Sequence, residues 1–322
     1  MRRCGMGRFD ERATRPQRGP ADMLRWKLVD PLRGRRRRDA EFDRLDELRP
    51  GVRLDGAARF AATDAAACWI GHATWLLHLA GLTIATDPIW SRSIGGMVSR
   101  LVPPGISLDD LPGVDVVCIS HDHRDHMDLP TLRRLGPEPL YVVPLGNGRR
   151  LAKLGFSRVV ELDWWESHVE GDLTITLVPA RHWSMRAPWN RNDTLWGGFV
   201  LRAPEGVAYH AGDTAAGEHF AEIAARVGPI DWAMLPIGGY APRWFMEPQH
   251  ICPEEAGDAF VSLAARHLFA MHWGTFRLTD EAVGEPAERL RAWSHAHRLP
   301  DSRLWLLDVG EVLQLGAQAS PA

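Results

Sequence analysis

Nine residues, Ser120-His121-Asp122-His123-Arg124-Asp125-His126-Met127-Asp128, constrain this chain more than any other stretch. They follow directly on the apolar segment 114–119, which has the length and the Val/Ile content of a buried strand. Three histidines and Asp125 therefore arrive within six positions at a strand end. Imidazole and carboxylate are the ligands that zinc and its neighbours prefer, and a strand that stops at its first histidine lets the following side chains splay around a cation. A solvated loop has no reason to concentrate such groups.

Similar strand ends recur downstream. Segment 173–179 reads as a strand running into Arg181-His182-Trp183-Ser184, and 206–210 as one running into Gly212-Asp213-Thr214. Segment 267–271 delivers His272-Trp273-Gly274. Each group alone has an ordinary role open to it: His182 and His272 as surface or capping side chains, Asp213 as the cap of a helix. Taken together, His121, His123, Asp125, His126, His182, Asp213 and His272 make seven candidate ligands. That is enough for two metal ions sharing a carboxylate, because Asp213 has two oxygens to offer. Gly212 lets the backbone approach such a site closely.

The loop Gly238-Gly239-Tyr240-Ala241-Pro242-Arg243-Trp244-Phe245-Met246, followed by Gln249-His250, is rich in glycine, proline and aromatics. It reads either as aromatic packing or as a substrate-facing loop. In the second case Tyr240 and Trp244, with Trp183, supply an apolar wall, and Gln249 or His250 meets the reacting group.

Around these motifs the chain mixes short apolar strands with helices. Strands are expected at 68–70, 74–79 and 82–86, as a meander turning at Gly71 and Gly81. Further strands fall at 114–119, 140–143, 159–162, 173–179, 197–202, 206–210, 232–235 and 267–271, with a final strand pair at 304–306 and 312–315. Helices fall at 129–135, where Pro130 stands near the start, and at 146–154, 218–227, 253–265 and 281–297. Segment 91–112 reads as a long loop. Mixed elements without strict alternation point to an α/β fold of two sheets packed face to face and flanked by helices. No internal repeat is visible, although the pattern is compatible with two similar halves. The expected division is a basic, flexible arm at 1–40, a connector with a short helix at 41–66, one domain at 67–316 and a tail at 317–322.

Composition matters chiefly through charge. The net charge of −3 hides a split, since residues 1–38 carry +9 and the remainder −12. An acidic body argues against a nucleic-acid groove across the main domain. The arm, with the block Arg35-Arg36-Arg37-Arg38, reads first as a solvated, partly disordered segment and alternatively as a leash drawn to anionic lipid headgroups, at about 1 kcal/mol per basic residue near such a surface. Fourteen tryptophans are many for 322 residues; most fill the core, and an indole also suits a surface that meets an amphipathic ligand or a bilayer. Cys4, Cys68, Cys118 and Cys252 are scattered without CxxC spacing, as expected of reduced thiols in a cytoplasmic protein. No apolar run approaches the roughly 20 residues that span a bilayer, and the N-terminus lacks the apolar stretch of a secretory signal. The expected location is the cytoplasm, with peripheral contact at the inner face of the membrane, and a homodimer is compatible with all of this.

The run from His121 to His126, with His182, Asp213 and His272 following in order, resembles the metallo-beta-lactamase fold superfamily over about residues 67–315. Within it, Trp69-Ile70-Gly71-His72-Ala73-Thr74, Thr86-Asp87-Pro88, the Gly238 to Met246 loop with Gln249-His250, and His272-Trp273-Gly274-Thr275-Phe276 resemble the N-acyl-phosphatidylethanolamine-hydrolysing phospholipase D family. The resemblance implies a four-layered αβ/βα sandwich with a di-metal site at one edge of the sheets. It implies two zinc ions, or another divalent metal in their place. His121, His123 and His182 would hold one, Asp125, His126 and His272 the other, with Asp213 bridging. The match departs at the N-terminus, where this chain is short and Arg-rich.

The activity so implied is hydrolysis of a phospholipid phosphodiester to phosphatidic acid and an N-acylethanolamine. Two ions roughly 3.5 to 4 Å apart would share a water whose pKa falls towards about 7, and the hydroxide would attack phosphorus in line. Asp125, Asp213 and His250 are the catalytic candidates, His250 as a hydrogen-bond partner of the phosphate or of the leaving alkoxide. The same hydroxide attacks carbonyl carbon, so a lactonase or a sugar-phosphate or carboxylic ester hydrolase is the enzymatic alternative. A metal-binding, membrane-recruited protein without turnover is the non-enzymatic one.

Overall fold

In β1 (Ala66–Gly71), Ala67 and Trp69 face one way and Ala66, Cys68 and Ile70 the other, and both sets are buried. A strand buried on both faces needs a layer on each side. The structure, a computed structural model that describes residues 7–13, 18–33 and 39–316, supplies both. β1 pairs antiparallel with β2 (Thr74–Leu79), and β2 with β3 (Leu82–Thr86). β4 (Ser93–Ile94) and β5 (Val98–Ser99) then form a separate hairpin. The first sheet continues in parallel from β3 through β6 (Val116–Cys118) and β7 (Leu140–Pro144) to β8 (Val159–Leu162).

The second sheet repeats this scheme. β9 (Ser167–Glu170), β10 (Leu173–Val178), β11 (Gly198–Ala203) and β12 (Gly206–His210) run antiparallel. From β12 the sheet goes on in parallel through β13 (Trp232–Pro236) and β14 (His267–Met271) to β15 (Leu304–Trp305). The last strand, β16 (Val312–Gln314), returns to the first sheet and pairs with β1. Each half is thus a meander followed by parallel strands.

The sheets meet through Trp69, Trp75, Leu77 and Val116 on one side and Leu177, Phe199, Tyr209 and Phe269 on the other, where the Trp75 and Phe269 rings stack at 5.5 Å. The outer face of the first sheet is covered by Phe60, Leu132 and Leu151, from the helices Gly56–Ala61, Leu129–Leu135 and Gly148–Ala152. The helices His219–Val227, Pro253–Ser262 and Glu285–Ala296 bring Phe220, Phe260 and Trp293 to the second. The result is the expected four-layer α/β sandwich.

Several expectations are corrected. β15 and β16 do not form a pair, since one closes the second sheet and the other the first. β9 was not anticipated, because Ser167 and Val169 are exposed and its other residues half-buried, so no buried face marks it in the sequence. Segment 91–112 contains the β4–β5 hairpin, and the connector carries two helices, Ala40–Glu47 and Gly56–Ala61. The described part of the arm is packed against the body. Phe9 joins the main core and Arg12 forms an ion pair with Asp163. The helical stretch that begins with Pro20–Leu24 sets Trp26 against Phe245, ring centroids 4.8 Å apart, with Nε1 donating to Asp280 at 2.7 Å. Removing an indole from water is favourable enough to hold such a segment down. The Arg35 to Arg38 block, Cys4 and the tail at 317–322 lie outside the described residues. Cys68, Cys118 and Cys252 are buried and unpaired by disulfides. Among the described residues no helix is long and apolar enough to cross a membrane.

Candidate metal centre

Strands β3, β6, β10, β12 and β14 all lead into one edge of the sandwich, and the loops that leave them carry the candidate ligands. In open α/β sheets the crevice beyond the strands' carboxyl ends is where ligands bind. His121, His123, His182 and Asp213 form one buried cluster and His72, Asp125, His126 and His272 a second, each with one ligand atom per residue within 4.8 Å of the others.

In the first cluster, His121 Nε2 lies 2.8 Å from His123 Nδ1, and His182 Nε2 lies 3.3 Å from the same atom. The far sides of two rings are engaged. His121 Nδ1 contacts Ser120 Oγ at 2.9 Å, and Ser120 Oγ donates to Asp87 Oδ2 at 2.7 Å. His182 Nδ1 donates to the Gln249 carbonyl at 2.9 Å. Both rings therefore present a bare Nε2 to the centre, the tautomer a metal requires.

In the second cluster, Asp125 Oδ2 stands 3.6 Å from His126 Nε2 and 3.9 Å from His272 Nε2. His126 Nδ1 donates to Asp87 Oδ2 at 2.8 Å, which aims its Nε2 inward. Asp213 joins the clusters, with Oδ1 3.1 Å from His272 Nε2 and Oδ2 3.2 Å from His126 Nε2, 3.7 Å from His182 and 3.8 Å from His121. His250 Nε2 is 3.9 Å from the same oxygen.

The backbone is bent to deliver these groups. His72, Asp87 and His272 have φ of 56°, 38° and 61°, a region that non-glycine residues rarely occupy. Local bonds hold the bends: Thr275 Oγ1 accepts from His72 N at 2.7 Å, and the His72 carbonyl accepts from His272 N at 2.9 Å. Gly239, at φ 78°, passes so close that a Cβ would sit 3.2 Å from His250 Nδ1 and 3.3 Å from His272 Cε1.

Electrostatics fit a cation. Burial holds His121 well below its ordinary range, with the neighbouring imidazoles His126, His123 and His182 adding to the effect, and pulls His123 to about 4 and His182 to about 3. These rings are neutral and free to ligate. At His126 burial acts the same way but is outweighed by Asp213, Asp125 and Asp87, which raise it well above its usual value. The pocket is thus a sink for positive charge. Asp213 Oδ1, His126 Nε2 and His272 Nε2 are also buried with no hydrogen-bond partner. Orphaned polar atoms of this kind are expensive unless a ligand satisfies them, and a divalent cation among histidines and carboxylates would do so.

All seven ligand candidates converge here. Gln249 contributes its backbone carbonyl to His182, while its amide nitrogen lies 3.6 Å from the Met246 sulfur. Trp183 stands at the mouth, its ring edge-on to His123 at 4.7 Å. Tyr240 does not turn its hydroxyl to the site; it is buried and donates to Glu285 at 2.8 Å. Trp244 packs edge-on to Phe245 beneath Arg18 and Arg25, under the N-terminal segment. Three contributors went unassigned from sequence. His72 Nε2 meets Asp125 Oδ2 at 3.1 Å, Asp87 orients His126 and Ser120, and Glu281 accepts from the Gly239 and Ala241 amides at 2.6 and 3.0 Å. The Trp-Ile-Gly-His and Thr-Asp-Pro motifs contain the first two, but neither signals a role without the fold.

Paired ligand clusters at the edge of a double-sheet sandwich are the mark of a metal-dependent hydrolase. A family model described as "Beta-lactamase superfamily domain" matches residues 83–273, and the chain belongs to this superfamily, the metallo-beta-lactamases. More narrowly, it is 36% identical over 266 residues to the N-acyl-phosphatidylethanolamine-hydrolyzing phospholipase D 1 of Caenorhabditis elegans, a match covering 76% of this chain and 74% of that one. It is 43% identical over 254 residues to an uncharacterized protein of Mycobacterium tuberculosis (strain ATCC 25618 / H37Rv), covering 76% of this chain and 66% of the relative's length. Among solved structures, the isothiocyanate hydrolase from Delia radicum gut bacteria shares the fold, with a TM-score of 0.64 at 21% identity over 79% of this chain and all of that one.

Proposed function

We propose that this chain is a zinc-dependent phosphodiesterase of phospholipase D type, which hydrolyses N-acyl-phosphatidylethanolamine to phosphatidic acid and an N-acylethanolamine. The observation that carries the reading is Asp213, whose Oδ2 lies 3.2 Å from His126 Nε2 of one cluster and 3.7 and 3.8 Å from His182 and His121 of the other, while Oδ1 faces His272 at 3.1 Å. A shared anionic ligand is what two neighbouring cations require. His121, His123 and His182 would hold one and Asp125, His126 and His272 the other. The ligand types suit zinc, and the named activity of the Caenorhabditis elegans relative supports the substrate. When bound, such a pair supplies Lewis acidity towards phosphoryl oxygens and lowers the pKa of water beside it.

The chain's own residues do the remaining work. Asp125, steadied by His72, orients the attacking water by accepting its proton in a hydrogen bond. His250 lies beside the shared carboxylate, with Arg243 donating to its carbonyl at 2.9 Å while pairing with Glu255. Burial, aided by His182 and His272 and opposed by Asp213, pulls its pKa to about 3, so it acts as a neutral hydrogen-bond donor to a phosphoryl or leaving oxygen. Glu281 stiffens the Gly238 to Met246 loop that walls the cleft.

The N-terminal segment supports peripheral contact with an anionic bilayer. It rests on Trp244 and Phe245 and exposes Met23, Leu24, Leu28 and Leu32, with Arg25, Lys27 and Arg33 exposed alongside. Such a surface would hold the cleft against its substrate. The test is product identification by mass spectrometry, using zinc-loaded protein, N-acyl-phosphatidylethanolamine in mixed micelles and a chelator-treated control. Phosphatidic acid formed only with metal supports the reading. Intact substrate from fully metallated protein overturns it and turns attention to small esters and lactones.

A further inference from the structure

The loop that carries His121 to His126 has a second side. There it borders an open basin of about 610 Å³ lined by Arg124, Arg149, Arg150, Lys153, Arg186 and Trp189. An adjoining hollow of about 430 Å³ shares Arg124, Leu129 and Arg186 and adds Arg92 and Arg133. No candidate metal ligand lines either one. Seven basic side chains on one face are a marked departure from a body that is net acidic.

Local acids neutralise them only in part. Asp128 is occupied by Ser91 Oγ and Thr131 Oγ1, each at 2.6 Å, leaving Asp193 as the other carboxylate on the lining. The side chains of Arg92, Arg133, Arg149 and Lys153 have no ion pair or hydrogen bond among the described residues. Arg150 reaches the buried Asp122 only at 3.5 Å, and its Nε is buried without a partner. Self-repelling guanidinium groups held around a concavity are favourable only with an anion between them.

Size and shape narrow the class of anion. The basin is far larger than a lone phosphate needs, and its rim carries Trp189, which is 85% exposed, with Leu129 beside it. An indole left in water at the edge of a basic hollow suits a ligand with an apolar remainder. We propose that this basin binds the phosphate monoester group of an anionic amphiphile, with Arg149 and Lys153 on one wall, Arg124 and Arg186 on the other, and the apolar part along Trp189 and Leu129.

Occupancy would reach the metal loop directly. Arg186 Nη1 donates to the carbonyls of Asp122 at 3.0 Å and Met127 at 2.7 Å, so a phosphate drawn to this guanidinium loads the segment bearing His123, Asp125 and His126. The binding claim stands independently of the proposed reaction; only the influence on turnover rests on it.

The test is isothermal titration of zinc-loaded protein with dihexanoyl phosphatidate, inorganic phosphate and, as a zwitterionic control, dihexanoyl phosphatidylcholine. Phosphatidate is expected to bind, more weakly as salt rises, and to lose roughly tenfold or more in affinity in an Arg149→Ala/Lys153→Ala double variant. Both side chains are exposed and lie outside the metal centre, and unchanged metal content checks that the variant is folded. Phosphate binding at the metals is common to both proteins and drops out of the comparison. Trp189→Ala should weaken phosphatidate and leave inorganic phosphate unaffected. Equal affinity of wild type and double variant for phosphatidate would overturn the site, and equal affinity for phosphatidate and inorganic phosphate would overturn its amphiphile character. Neither readout requires hydrolysis, so failure of the proposed activity is seen separately.

Discussion

Replacing Asp87 by asparagine exchanges one buried oxygen for an amide nitrogen, and the consequences should reach the metal centre. The carboxylate is fully buried at the end of β3. Oδ1 accepts from Ser120 N at 2.6 Å, while Oδ2 accepts from Ser120 Oγ at 2.7 Å and from His126 Nδ1 at 2.8 Å. An asparagine has one acceptor oxygen, so whichever way it turns, a donor meets a donor. If its nitrogen faces Ser120 N, the bond to that amide is lost and the tie between the loops after β3 and β6 weakens to the Ser120 Oγ contact. If it faces His126, that imidazole must carry its proton on Nε2, the atom aimed at Asp213. Losing a hydrogen bond to a charged group and leaving its donor buried costs about 3 kcal/mol of stability. Disturbing a residue that orients a ligand costs roughly 10- to 100-fold in metal affinity, or about 1.4 to 2.8 kcal/mol. Dialysis of wild type and variant against graded free-zinc buffers, with bound metal read by plasma mass spectrometry, measures the second term. Thermal unfolding in excess chelator isolates the first. A variant that keeps its full metal complement at the wild-type free-zinc midpoint, with an unchanged Tm, would refute the reasoning.

Asp125→Asn and His123→Ala should each abolish turnover and lower metal content together; loss of activity at full occupancy would contradict their assignment as ligands. Trp26→Ala removes the buried indole under the Phe245 loop and should weaken the docking of residues 18–33 by about 3 kcal/mol, read as faster limited proteolysis there. An unaltered cleavage rate would mean that other contacts hold the segment. His219 is buried beside Arg181, and burial first, then that charge, depress its pKa from 6.5 to about 4. Its neutral form is favoured by the fold, so stability is full above about pH 6.5 and is lost as pH falls towards 4, by up to about 3 kcal/mol. His219→Gln should flatten that part of a chemical-denaturation profile against pH, and an unchanged slope would assign the acid sensitivity elsewhere.

Much of the fold was legible because burial leaves a pattern. β2, β3, β8, β12 and β14 announce themselves as short apolar runs bounded by turns, and the ligands could be read as the first polar residues after such runs. What stayed hidden depends on partners far away in the chain. Nothing local says that β15 and β16 join different sheets, or that Trp26 finds Asp280 and Phe245. β9 is an edge strand whose exposed Ser167 and Val169 leave no buried face to read. At the site, His72 and Asp87 were visible only as letters in motifs. Their roles follow from bent backbone and from the tie between the β3 and β6 loops, which no periodicity reveals. Tyr240 and Trp244 look like substrate contacts because aromatics beside glycines often are, yet one braces Glu285 and the other lies under the N-terminal segment.

The pairing of β16 with β1 sets Ala66 opposite Gln314, so the domain begins and ends side by side. In topological terms the stretch 66–314 is nearly a ring. During synthesis β1 keeps a bare row of amides and carbonyls until residues 312–314 emerge, and an unpaired edge of that kind invites pairing with another chain. Completion of the first sheet therefore waits for the strand at 312–314. The same adjacency, with Leu315 N donating to the Ala65 carbonyl at 2.8 Å, lets the strand that opens the sandwich and the strand that closes it share one sheet edge.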